Sequence, residues 1–91
     1  MRILEAIRTY LENLRAKRRA SQTVAAEFRR LFPHETLRRT SLQADEPTRY
    51  VYWVWYGDTT PPFYQFFTVA KESGAVNLME DSSGYAPEVW R

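Results

Sequence analysis

The sequence predicts an α+β fold: an N-terminal helix, or two helices, packed on one face of a four-stranded antiparallel meander sheet. Three observations carry that expectation. Apolar residues recur at helical spacing from Leu4 to Leu14, the period shortens towards two beyond Pro33, and the later segments are joined by short turns containing Gly or Pro. Sequential strands with such short connections pair antiparallel.

Leu4, Ile7, Leu11 and Leu14 fall at 3-4-3 spacing, on one stripe of a helix. The same frame continues through Arg18, Ser21, Ala25, Phe28 and Phe32, interrupted by two polar residues. A single helix over residues 2–32 would be about 46 Å long, against a radius of gyration of about 13 Å for a compact domain of this size. A break is therefore expected. Ser21 or Thr23 caps a second helix from Val24 to Phe32, and Pro33 stops it by disfavouring helical backbone at the residue before it.

Thr36 to Gln43 reads as a polar strand, Asp45-Glu46-Pro47 as a turn and Arg49 to Tyr56 as a strong strand. Gly57 to Pro62 closes a hairpin and Phe63 to Ala70 is the returning strand. Lys71-Glu72-Ser73-Gly74 then turns, with Gly available for positive φ, into a last strand from Ala75 to Met79. The 91 residues suit one domain, with a helical part over 1–33, the sheet over 34–80 and a tail over 81–91.

A half-buried strand alternates apolar with polar residues, yet the two central segments carry large rings on both faces. If Tyr56 opposes Phe63 and Val69 opposes Val76, one face collects Tyr50, Tyr52, Val54, Tyr56, Phe63, Phe67, Val69, Val76 and Leu78. This face, richer in aliphatic residues, is assigned to the helix. The other collects Val51, Trp53, Trp55, Tyr64, Phe66, Thr68, Asn77 and Met79, a mixture suited to a surface that is wet when free and dry when bound. With Leu42 opposite Tyr50, Arg39 lands beside Trp53 on this second face. Trp53, Trp55, Tyr64, Phe66 and Arg39 are the expected partner-binding residues. The competing expectation is that a second helix, or Tyr85 and Trp90 of the tail, covers them.

The composition excludes several chemistries. With no cysteine there is no disulfide, thiolate nucleophile or Cys-based metal site, which fits a reducing compartment and makes the cytoplasm the expected location. Glu5, Arg8 and Glu12 interrupt the N-terminal apolar stripe, so neither a signal peptide nor a membrane span is expected. His34 has no second imidazole with which to bind metal. His34, Glu35 and Asp58 could be assembled into an acid–base site, but no phosphate loop or nucleophile motif accompanies them; neither catalysis nor a cofactor is expected.

Basic residues concentrate in the first half: residues 1–46 hold ten Lys/Arg against six Asp/Glu, and residues 47–91 three against five. Hence the alternative expectation of single-stranded nucleic-acid binding, with Lys17, Arg18, Arg19 and Arg39 meeting phosphates while Trp53, Trp55 and Tyr64 stack on bases. The leading expectation is a small protein–protein interaction or regulatory module. A homodimer stands ahead of a monomer, because a long helix would overhang so small a sheet.

Overall fold

In the computed structural model, which describes residues 2–81 and 84, one helix lies on a four-stranded antiparallel sheet of order β1-β2-β3-β4. The elements are α1 (Arg2–Leu31), β1 (Leu37–Asp45), β2 (Arg49–Tyr56), β3 (Phe63–Ala70) and β4 (Val76–Leu78). The expected fold class is observed.

The expected break in the helix is not. Thr23 does not cap a new helix; its hydroxyl donates to the carbonyl of Arg19 at 2.9 Å, four residues back, which a threonine can do without interrupting the backbone ladder. Ala20, Val24 and Phe28 then bury along one i, i+4 line, and tertiary packing outweighs the capping propensity. The helix ends at Leu31, two residues before Pro33, and the Phe32 and Glu35 amides donate to the carbonyls of Phe28 and Phe32 as the chain turns.

Tyr56 opposes Phe63 and Val69 opposes Val76, as the hairpin lengths require. Gly57 and Gly74 both take positive φ, at 90° and 75°. The first strand is offset from expectation: Leu42 opposes Tyr52 rather than Tyr50, and Arg39 opposes Trp55 rather than Trp53. The cause is a tight β1–β2 turn, closed by the Glu46 amide donating to the Arg49 carbonyl, together with irregularities between Leu37 and Arg39 and between Leu42 and Ala44. Because the offset is two residues, Arg39 still falls on the tryptophan face.

β2 is buried on both sides from Tyr50 to Trp55. Beneath the helix, Ala20, Val24 and Phe28 pack with Tyr50, Tyr52, Val54, Phe67 and Val69, flanked by Phe32, Leu37, Tyr56 and Val76. This is the face assigned to the helix. The Tyr52 hydroxyl donates to the Lys17 carbonyl at 2.7 Å, and burial, then the proximity of Tyr50 and Asp45, pushes its pKa up to about 12. At the same end, the Asp45 carboxylate accepts from Lys71 and lies 3.6 Å from Lys17, tying β1 to the β3–β4 turn and to α1.

Candidate functional site

The second sheet face is closed. Trp53, Trp55 and Phe66 are 3, 4 and 2% exposed and form a second cluster with Val51, bordered by Ala44 and Met79. The Trp53 ring meets Trp55 edge-on at 6.0 Å and Phe66 at 6.2 Å, and the Trp55 ring meets Tyr64 at 5.3 Å. The expectation of an open aromatic surface is corrected: of its four rings only Tyr64 is exposed, and Arg39 is half-buried at the β1 edge. The physical reason is area, since rings of about 150–250 Å² each are too costly to leave in water. No second helix supplies the cover among the described residues; Tyr85 and Trp90 lie outside them. The Trp53 indole N–H is buried and has no hydrogen-bond partner among the described residues.

The residues expected to meet phosphates do not converge with the rings expected to stack. Lys17 pairs with Asp45, Arg18 and Arg19 are exposed on α1, and Trp53 and Trp55 are inaccessible to a base. His34, Glu35 and Asp58 are exposed in connecting segments. Among the described residues no group of three or more His, Asp or Glu side chains gathers around a possible metal position, and no helix is long and apolar enough to cross a membrane.

A shallow cleft of about 260 Å³ runs between α1 and the β3–β4 turn, lined by Ala16, Arg19, Thr23, Tyr50, Lys71 and Gly74 among others. It is smaller than the roughly 300–1,000 Å³ of typical ligand sites. Of its two lining cations, Arg19 and Lys71, the Lys71 ammonium is already engaged: it bonds to Asp45 and stands 4.9 Å over the Tyr50 ring.

Among the described residues, the largest continuous run of exposed apolar side chains lies on the first half of α1; Phe63 and Tyr64 are also exposed, at the start of β3. The molecule measures 51 × 28 × 24 Å, and every residue from 2 to 15 is exposed. This arm carries Ile3, Leu4, Ile7, Tyr10, Leu11 and Leu14, between 43 and 75% exposed. At about 100° per residue their midline is turned roughly 100° from the Ala20, Val24 and Phe28 line. A longer sheet would therefore still miss it. The stripe that first suggested a helix is thus separate from the stripe that holds the helix to the sheet. The heptad frame that starts at Leu4 runs through Ser21 and Ala25, one residue and about 100° from Ala20 and Val24, and meets the buried line only at Phe28; the i, i+4 series Ala16, Ala20, Val24, Phe28 is the signal that finds them.

No family model, curated protein or solved structure matches the chain.

Proposed function

We propose that the protein is a small protein–protein interaction module that docks through the projecting arm of α1, residues 2–15. One observation carries this reading: six bulky apolar side chains lie on one exposed stripe of a helix whose other half already holds the sheet. Isolated helices of fewer than about 12–15 residues are marginal in water, so the arm gains order as well as apolar burial when another helix or groove receives it. The aromatic cluster then serves as the rigid base from which the arm projects, not as the contact surface.

The test compares the wild-type chain with Ile7→Glu/Leu11→Glu by size-exclusion chromatography, both purified and in cell extract. Wild type should elute in an assembly larger than its 10.8 kDa, and the double variant as a monomer with an unchanged tryptophan emission spectrum. Elution of both chains as monomers under both conditions would reject an interacting arm.

A further inference from the structure

On the reading of the arm as a docking surface, we propose that its occupant is a helix-binding groove of another protein with one acidic wall: the apolar floor takes the stripe, and carboxylates of the wall meet Arg8 and Arg15. The chemistry of that partner follows from where the charges stand around the stripe.

At about 100° per residue, Arg15 and Arg8 lie about 80° and about 100° from the midline of the stripe, on the flank turned away from the buried line and the sheet. Glu12 and Glu5 lie about 140° and about 160° from it, on the back of the helix. Arg18 closes the apolar frame on the stripe itself. Whatever covers the stripe therefore reaches cations at its margin before it reaches either acid. All five residues are exposed. Among the described residues neither Arg8 nor Arg15 is held in an ion pair, although Glu5–Arg8, Arg8–Glu12 and Glu12–Arg15 have spacings that permit one. Both guanidinium groups are thus available, and each can take a carboxylate in a bidentate pair. Seven residues of helix set the two about 10 Å apart, so the wall carries its carboxylates at about that interval.

Other occupants lack this match. Antiparallel copies of the arm set arginine flank against arginine flank, and parallel copies set it against Ala6 and Asn13. A lipid surface meets both margins of a helix alike. Here the margin towards the sheet carries Ala6 and Asn13, and its nearest cation, Lys17, already lies 3.6 Å from Asp45. A groove with a single acidic wall fits the one-sided pattern. Burial of the stripe gives affinity, while the arginines fix the direction in which the arm lies and speed the encounter.

Calcium-loaded calmodulin, which combines an opened apolar groove with many carboxylates, serves as the probe. Calorimetric titration should show it binding the wild-type chain at about 50 mM salt and more weakly at about 500 mM. Ile7→Glu/Leu11→Glu should abolish binding, and Arg8→Glu/Arg15→Glu should weaken it on the order of tenfold. Glu5→Lys/Glu12→Lys, on the back of the helix, should leave it unchanged or tighter. The assembly formed in cell extract should follow the same order. Equal effects of the two charge reversals, or an extract assembly that survives Arg8→Glu/Arg15→Glu, overturn the proposal. Binding through Ile7 and Leu11 to vesicles of phosphatidylcholine and phosphatidylserine, without binding to calmodulin, would put lipid in place of the groove. A doubled mass of the pure chain that is lost in Ile7→Glu/Leu11→Glu would put a second copy there. Assembly in extract through Ile7 and Leu11 with no binding to calmodulin would overturn the acidic wall while leaving the docking arm standing.

Discussion

The two halves of α1 carry apolar stripes of opposite fate. From Ala20 to Phe28 a narrow line of small and medium residues with one ring lies against the sheet, and Val24 and Phe28 are fully buried. From Ile3 to Leu14 a broader stripe of larger residues stands in water. Stability of the single chain requires the opposite arrangement, since burial of each large aliphatic side chain contributes about 1.5–3 kcal/mol. The helix is thus divided in its packing: its second half is anchored to the sheet, and its first half carries apolar surface that the sheet does not cover, the surface on which the proposed docking role rests.

The comparison breaks most readily at its buried end. Phe28→Ala should cost about 3–5 kcal/mol in urea unfolding monitored by tryptophan fluorescence, because Phe28 is fully buried and packs 5.1 Å from both Phe32 and Tyr56. A cost below about 1 kcal/mol, the range of surface positions, would mean that α1 is not anchored there. The opposite sheet face allows an equally direct test. Trp53→Ala should cost about 3–5 kcal/mol by cavity formation, offset in part by removal of a buried indole N–H that has no partner among the described residues. Near-neutral stability would reopen that face as a docking surface.

Legibility in the sequence follows the strength of each local signal. The hairpins were readable because Gly57 and Gly74 occupy positions that need positive φ, and because the loops between the strong strands leave one sensible register. β1 was less so, since its polar sequence fixes neither its irregularities nor its exact partner. The expected helix break rested on the length of a single helix against a compact domain, with Ser21 or Thr23 as the cap; the helix instead projects past the sheet, and the Thr23 hydroxyl bonds within it. Alternation identified the two sets of sheet residues, but exposure of the tryptophan set depends on what lies over it, which strand periodicity does not encode. The arm was legible as a stripe, and even as an overhang, but only the structure separates its direction from that of the buried line.

A more modest effect is expected where the middle of the helix meets the sheet. The Tyr52 hydroxyl is neutral as it donates to the Lys17 carbonyl, and its folded-state pKa is raised from 10.0 to about 12. A raised value means that the folded state holds the proton more tightly. Its contribution to stability is therefore complete below pH 10.0 and is lost as pH rises through about 12. Tyr52→Phe should cost about 1 kcal/mol at pH 7 through loss of the hydrogen bond. It should also lose less stability than wild type as the pH is raised above 10.0. Urea midpoints measured across that range decide the matter: parallel decline of the two proteins would mean that the Tyr52 proton is not linked to folding.

The smallest effect belongs to the arm, and its smallness is the diagnostic. Leu11 is 43% exposed and stands on the stripe turned away from the sheet. In the isolated chain Leu11→Ala removes little buried area, and alanine is at least as good a helix former as leucine. At concentrations too low for association, the unfolding free energy should therefore change by less than about 0.5 kcal/mol. Val24→Ala, thirteen positions further along the same helix, removes two fully buried methyl groups and should cost about 2 kcal/mol. The two substitutions exchange rank when association is measured instead, with Leu11→Ala weakening it and Val24→Ala leaving the arm's surface intact. If Leu11→Ala destabilised the dilute chain as much as Val24→Ala, the arm would be part of the core, and the division of α1 into an anchoring half and a docking half would fail.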